Sequence, residues 1–259
     1  MEMQRKVLTR IEVEHVVETS LDIGKAMLET GAEITRVEDS IRRICEAYSG
    51  GEADVFSIMS LIVVTLHVSD DIHVTSSRRI YGYQTNLGKL EQLNALSRYV
   101  CENLPSIEII KAKMKSIMEE KKGFSRKVFL GYLLAASSFA LFFGGSIRDG
   151  IAALLVVGLF YCFECLYKGK STNKVLYIFI CSLVVGILTI LSVKIGIGQH
   201  IDKIMIGNIM ILIPGINFMN SVKDMLSGDT ISGLLKLIES IMLAVSIATG
   251  YAVALLLLG

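Results

Sequence analysis

Charged residues are scarce in the second half of this 259-residue chain. Residues 1–127 carry 18 Lys/Arg and 19 Asp/Glu, whereas residues 128–259 carry only 8 and 6. The second half therefore offers more apolar surface than a soluble core of its size could bury. This shortage excludes a single soluble globular domain and predicts a soluble half joined to a membrane half.

Features that mark several other protein classes are also missing. A net charge of +1 gives no basic face for nucleic acid, and the charged N-terminus has no apolar segment typical of a cleavable signal peptide. The five cysteines lack the paired spacing of a secreted disulfide scaffold, so we expect reduced thiols. No glycine-rich phosphate loop or Walker lysine is present. The sequence therefore predicts no cofactor and does not favour an enzyme.

The second half divides into apolar runs, each near or above the roughly 17–25 residues that cross a bilayer. We expect an N-terminal cytoplasmic α+β domain over residues 1–124, followed by an α-helical polytopic membrane domain of about five helices over residues 125–259. The predicted spans are 128–146, 150–167, 175–193, 204–222 and 232–258.

Lysine and arginine at the span ends predict the orientation of the chain in the membrane. Basic residues cluster before the first span and between the second and third, and such clusters favour the cytoplasmic side. An odd number of spans then places the N-terminal half in the cytoplasm and Gly259 outside. The basic residues are Lys121, Lys122, Arg126, Lys127, Lys168, Lys170 and Lys174.

Hydrophobic periodicity predicts mixed secondary structure in the first half. Apolar residues at intervals of three and four predict helices over 13–30, 32–48, 87–101 and 106–121. Two β-rich runs, 55–68 and 72–80, flank the turn signal Ser69-Asp70-Asp71 and predict a hairpin.

His67 and His73 flank this turn and invite a metal hypothesis. A two-residue turn at Asp70-Asp71 would place His67 opposite Val74, and only a three-residue loop would bring the two histidines together. Since no third ligand is evident, we predict no metal site.

Four segments, in this order along the chain, resemble the threonine/serine exporter family: 31–44, 93–98, 142–149 and 212–229. The likeness is to the large (YjjP-like) subunit of the form that is split into two membrane subunits. It implies export of a small polar metabolite, either a threonine/serine-type amino acid or a dicarboxylate such as succinate, driven by an ion gradient. It also implies a small integral-membrane partner of the same family.

The fourth predicted span carries a break followed by a polar stripe. Pro214 and Gly215 interrupt the helix near its middle, which frees backbone carbonyls that can face a cavity. Asn217, Asn220 and Asp224 then share one helix face, so these five residues are candidates for the substrate pathway. Alternatively, the asparagines join helices through hydrogen bonds and Asp224 is interfacial.

Three carboxylates near span ends are candidates for ion coupling: Asp149, Glu164 and Glu239. The alternative is structural. Glu164 can reach the interface by snorkelling, and Glu239 can be neutralised by Lys236, three residues before it.

In the first half, Arg36, Glu38, Asp39 and Arg78 are candidates for a polar gate or vestibule. The structural alternative is a capping box, in which Thr35 is the N-cap and Glu38 bonds back to its backbone N–H. Both interpretations can hold together.

These patterns favour an exporter subunit, multi-pass in the inner or plasma membrane, that binds a small-molecule substrate and the lipid bilayer and is also able to form homo-oligomers. The alternative is a membrane-anchored cytoplasmic enzyme or sensor that uses the N-terminal domain. An anchor needs only one span, so several spans with a polar stripe favour transport.

Overall fold

A computed structural model describes residues 9–69, 71–82, 84–119, 125–167 and 173–259. The chain forms two compact units: the first consists of Met1–Lys121 with Ile216–Leu237, and the second of Lys122–Gly215 with Ile238–Gly259. The predicted domain boundary after residue 124 falls outside the described residues and stays a prediction.

The first unit begins with two helices joined by a tight turn. Helix α1 spans Arg10–Glu29 and starts with a capping box between Thr9 and Glu12. Helix α2 spans Ile34–Ser49 and ends at Gly50, which adopts a left-handed conformation. Both predicted helices are confirmed, because their apolar residues recur on the face that is buried in the core.

A three-stranded antiparallel sheet follows, with the order β1 (Glu52–Ile58), β2 (Leu61–Ser69) and β3 (Ile72–Arg79). The single run predicted over 55–68 is wrong: a tight turn at residues 59–60, without a strong turn residue, divides it into β1 and β2. The register pairs His67 with His73, with an irregularity between His67 and Ser69. The predicted facing of His67 with Val74 is therefore wrong: Ser69 pairs with Ile72, but the irregularity shifts His67 opposite His73. The two histidine rings lie 6.2 Å apart.

Two more helices complete the N-terminal part of the first unit. Helix α3 spans Leu87–Asn103 and α4 spans Ile107–Met118. Leu93, Val100 and Ile110 are fully buried in the same core as α1, α2 and the inner face of the sheet. Residues 120 and 121 of the last predicted helix lie outside the described residues.

Among the described residues from 125 onward, six helices follow: α5 (Arg126–Phe142), α6 (Ile147–Tyr167), α7 (Lys174–Lys194), α8 (Ile201–Leu212), α9 (Gly215–Leu226) and α10 (Thr230–Leu258). Within the described ranges, α6, α7 and α10 are long and apolar enough to cross a membrane, and α8 with α9 makes a fourth if the broken pair is one span. The predicted count of five is not confirmed, since α5 has only 17 residues and stands at the short end of the crossing range.

The orientation of the chain stays a prediction. Among the basic residues on which it depends, Lys121, Lys122, Lys168 and Lys170 lie outside the described residues.

Small residues let the helices of the second unit approach closely. A Cβ atom built on Gly207 of α8 would lie 2.5 Å from the carbonyl oxygen of Ala136 and 3.0 Å from Ala140, both on α5. A Cβ on Gly186 of α7 would lie 2.7 Å from Ala254 of α10. Close approach at small residues is the usual way in which membrane helices gain packing energy.

Candidate functional site

The polar stripe predicted after Pro214 lies on one face of α9. Pro214 occupies the break between α8 and α9, as predicted, and Gly215 is the first residue of α9. Asn217 and Asp224 are buried within the first unit and Asn220 is half-buried. The first unit therefore encloses the polar face of this helix.

The two asparagines bind the segments that precede α2 and α3. Thr85 Oγ1 donates to Asn217 Oδ1 at 3.0 Å, and Asn220 Nδ2 donates to the carbonyl oxygen of Gly31 at 3.2 Å. Gly31 has φ +98°, and a Cβ there would lie 3.3 Å from Thr85. The turn between α1 and α2 thus needs a glycine, both for its conformation and for this contact.

Asp224 lies between a helix N-terminus and a buried lysine. Its Oδ1 accepts from the backbone N–H of Ile34, the first residue of α2, at 3.4 Å. Its Oδ2 accepts from Lys236 Nζ at 2.6 Å, and the side chains of Lys236 and Asp224 are 6% and 1% exposed. Lys236 Nζ also lies 3.5 Å from the carbonyl oxygen of Ala32. The carboxylate neutralises a buried ammonium and interacts favourably with the positive end of the α2 dipole.

Two more contacts join the same segments at the surface. Lys223 Nζ donates to Glu33 Oε1 at 2.9 Å, and Thr35 Oγ1 donates to Asp229 Oδ2 at 3.3 Å. We call the whole set the α9 cluster; it consists of Gly31, Ala32, Glu33, Ile34, Thr35, Thr85, Asn217, Asn220, Lys223, Asp224, Asp229 and Lys236.

The predicted capping box at the start of α2 is wrong. The N-cap residue is Glu33, whose side chain makes no cap hydrogen bond. Glu38 Oε1 instead accepts from the backbone N–H of Ser57 at 2.7 Å and from Ser57 Oγ at 3.1 Å. Burial raises the pKa of the Glu38 carboxyl above its usual value, and the two hydrogen bonds from Ser57 oppose this shift. Asp224, 190 residues away, interacts with the α2 N-terminus in place of a local cap.

The other predicted gate residues separate into two groups. Arg36, Glu38 and Asp39 line one shallow cavity of about 440 Å³. Arg78 is elsewhere, on β3, where its Nε donates to Asp22 Oδ1 of α1 at 2.9 Å.

A larger cleft of about 750 Å³ lies between α2 and α3. Three guanidinium groups and three carboxylates line it, and Asp39 accepts from Arg43 at 3.0 Å within it. Cavities of this volume hold small ligands, and guanidinium groups bind carboxylates through paired hydrogen bonds. The charged lining residues are Arg36, Arg43 and Arg98 with Asp39, Glu91 and Glu102.

Asp149, a predicted coupling carboxylate in the second unit, accepts several hydrogen bonds. It is fully buried and accepts from the backbone N–H and hydroxyl of Ser146 and from the backbone N–H of Gln199. His200 donates through its backbone N–H at 2.9 Å and places its Nδ1 2.8 Å from Asp149 Oδ2. The sequence interpretation did not include His200.

The two other carboxylates bind different partners. Glu164 accepts from the hydroxyls of Tyr132 and Tyr177 at 3.2 and 3.3 Å. Glu239 accepts from Lys174 Nζ at 2.7 Å, so the predicted pairing of Glu239 with Lys236 is wrong.

Sequence reasoning also missed a buried polar pair between α7 and α8. Asn208 is 1% exposed, and its Nδ2 donates to Thr189 Oγ1 at 3.4 Å. Within the described part of the chain, the carbonyl oxygen Oδ1 of Asn208 has no hydrogen-bond donor. The sequence signal that could have identified this pair was Asn208 itself, a polar residue within an apolar run, since polar residues inside spans are candidates for function. For metal ions, no cluster of three ligating side chains occurs among the described residues.

Comparison with known proteins assigns the family. The ThrE family model, described as "Putative threonine/serine exporter", matches residues 18–258, nearly the whole chain. No curated protein and no solved structure matches the chain. The family match and the apolar helices together indicate a multi-pass membrane protein of a transporter family. This chain belongs to the ThrE family of threonine/serine exporters.

Proposed function

We propose that this chain is one subunit of a secondary exporter that moves a threonine/serine-type amino acid or a dicarboxylate such as succinate out of the cell, driven by an ion gradient. It acts as a transporter and not as an enzyme. The observation that carries the mechanism is the α9 cluster, in which one face of α9 binds the segments before α2 and α3 through hydrogen bonds and binds Lys236 of α10 through a buried ion pair.

The α9 cluster serves as the cytoplasmic gate of the transport pathway. Each neutral hydrogen bond in the cluster contributes only about 0.5–1.5 kcal/mol net, so a small polar substrate can replace it at little cost. The buried pair of Asp224 and Lys236 is harder to separate, because either charge alone would be unsatisfied in the interior. The pair therefore keeps α9 and α10 together while Asn217 and Asn220 exchange partners.

The cleft between α2 and α3 serves as the vestibule that captures the substrate. Its arginines, including Arg36 and Arg98, fit a carboxylate, and its acidic groups, including Asp39, fit an ammonium. A zwitterionic amino acid carries one carboxylate and one ammonium group, whereas a dicarboxylate carries two carboxylates. Arg78 supports this domain through its ion pair with Asp22.

The proposed assembly pairs this chain with a small membrane subunit of the same family in the plasma membrane. In it, the chain crosses the bilayer several times, with a cytoplasmic N-terminus. Asp149, Glu164 or Glu239 supplies the group that couples export to the ion gradient.

Efflux measurements test the gate and the partner together. Vesicles that contain this chain, with and without the small subunit, are loaded with threonine, serine or succinate, and efflux is measured per folded complex. We expect efflux only with both subunits. The Asn217→Leu and Asn220→Leu variants should lower the rate of efflux per folded complex, because leucine cannot form the hydrogen bonds that these asparagines make.

The matched control is Asn103→Leu, an exposed asparagine at the end of α3. Its efflux should equal that of the unmodified chain. Full efflux by the chain alone would contradict the two-subunit assembly, and unchanged efflux in the Asn217 and Asn220 variants would contradict the gate.

The cleft also supports a second function, in which the N-terminal domain is a sensor of the same ligand. Isothermal titration with serine, threonine and succinate, repeated on Arg98→Gln, measures binding directly. Loss of binding together with loss of efflux supports the vestibule. Loss of binding with an unchanged maximal efflux rate supports the sensor.

A further inference from the structure

Helix α9 exposes most of its apolar side chains and buries most of its polar ones, with Lys223 as an exposed exception. This is the reverse of a helix on a soluble domain. Phe218 and Met219 are 49% and 58% exposed, and Leu226 is 83% exposed. On the opposite face, Asn217 and Asp224 are 9% and 1% exposed. The apolar side chains therefore need a partner other than the core of the first unit.

Exposed apolar residues are concentrated in this part of the first unit. Among the residues described there, the segment 216–237 exposes a large apolar side chain about every three residues, whereas such residues are isolated in the rest of the unit. Contiguous apolar surface of this kind marks a contact with a membrane or another protein. The exposed set is Ile216, Phe218, Met219, Leu226, Ile231, Leu234 and Leu235.

The position of the polar contacts shows how α9 can meet a membrane. Asn217, in its first turn, binds Thr85, and Asp224, near its end, binds Ile34. Almost the whole helix is thus paired with the charged N-terminal part of the chain. A helix of 12 residues is only about 18 Å long, which is shorter than the roughly 30 Å of the hydrocarbon core.

We propose that α9 lies in the plane of the membrane interface, with its polar face on the first unit and its apolar face among the lipid acyl chains. Amphipathic helices bind membranes in this way, with the apolar face about 5–10 Å below the headgroups. We assign lipid to the exposed face of α9 because the segments before and after α9 in the sequence are apolar membrane helices. Helix α8 ends at Leu212, just before α9, and α10, just after it, is a candidate span. The apolar surface of α10 also starts in its first turn, at Ile231.

This inference depends on membership of a membrane-protein family, not on the proposed gate. It means that the fourth apolar segment does not cross the bilayer as one straight span. It also means that the first unit is attached to the membrane surface through α9.

Tryptophan fluorescence in lipid vesicles tests the depth of α9, because the chain contains no tryptophan. Phe218→Trp and Met219→Trp are the test variants of the full chain. Tyr81→Trp, at an 89% exposed position, is the aqueous control, and Val245→Trp, at a 60% exposed position well inside α10, is the deep control. Each is titrated with iodide and with lipids brominated near the headgroup or near the methyl end of the acyl chain.

We expect the two α9 probes to be quenched most strongly by the shallow bromines, whereas Val245→Trp is quenched by the deep bromines and Tyr81→Trp by iodide. Quenching of both α9 probes mainly by the deep bromines would indicate a crossing helix and overturn the proposal. Quenching by iodide alone would place the face in water. A blue-shifted emission that neither lipid quenches would mean that a partner subunit or a second copy covers the face. Either result would also overturn the proposal.

Discussion

Replacing Asp224 with asparagine removes one charge of the buried pair and keeps the shape of the side chain. Asparagine Oδ1 can still accept from the backbone N–H of Ile34, which now lies 3.4 Å from Asp224 Oδ1. What is lost is the 2.6 Å contact with Lys236, whose side chain is 6% exposed. The variant therefore leaves a buried ammonium without the carboxylate that neutralises it.

The expected loss follows from the burial of both partners. Removing one member of a buried ion pair costs about 3–5 kcal/mol, because the remaining charge has lost its hydration as well as its partner. A chain of this size loses about 2–4 °C of melting temperature per kcal/mol, so Asp224→Asn should melt about 6–20 °C lower. Lys236→Met should have a similar effect. The double variant Asp224→Asn with Lys236→Met leaves no buried charge and should lose less than either single variant.

Thermal unfolding of the purified chain in detergent measures all three variants. Lys223→Met is the matched control: it breaks a 2.9 Å ion pair on the same helix, but the lysine is 54% exposed. An exposed pair contributes about 0–1 kcal/mol, so this control should change the melting temperature by no more than about 4 °C. A loss for Asp224→Asn as small as that of the control, or a double variant as unstable as the sum of the singles, would refute the burial argument.

Three further variants have expected outcomes in the same assay. Gly31→Ala should lower the free energy of unfolding by about 1–3 kcal/mol, because alanine is strained at φ +98°. Gly82→Ala, at a position in open space, should lower it much less. Equal losses in the two variants would contradict the steric argument. Burial raises the pKa of Glu38, so protonation of this carboxyl favours the folded state. The stability of the unmodified chain relative to Glu38→Gln should therefore be highest near pH 4 and fall as the pH rises through the folded-state pKa. Parallel stability curves from pH 4 to 7 would show that Glu38 is not desolvated. Asp149→Asn should lower the free energy of unfolding by about 1.5–3 kcal/mol, because it gives up charge-assisted hydrogen bonds. Asp202→Asn, at a 63% exposed carboxylate, should lower it by less than about 1 kcal/mol.

The helices could be predicted from the sequence because local periodicity determines which face is buried. The predicted helix over 32–48 agrees within two residues with α2, and the break at Pro214 lies where the missing backbone donor requires it. The division of the first β-run could not be predicted in the same way, because residues 59–60 lack a glycine, proline or asparagine that would mark a turn.

The α9 cluster lay beyond sequence reasoning because its partners are far apart in the chain. Asp224 and Ile34 are separated by 190 residues, and no local pattern links them. The stripe of Asn217, Asn220 and Asp224 was visible as a helical face, but its periodicity could not show whether lipid, substrate or another domain lies against it. The capping-box prediction failed for a related reason: Glu38 binds Ser57 on β1, and a distant carboxylate occupies the N-terminal end of α2.

Gly207 restricts the ways in which the second unit can rearrange. Sliding α8 along α5 by one turn, about 5.4 Å, would bring Lys203 or Ile211 beside the Ala136 carbonyl, where even a Cβ atom would lie only 2.5 Å away. One-turn steps of this kind occur between helices in other allosteric proteins, but this interface is interlocked against them. A one-turn step of α8 along α5 is therefore blocked unless the two helices first separate at Gly207.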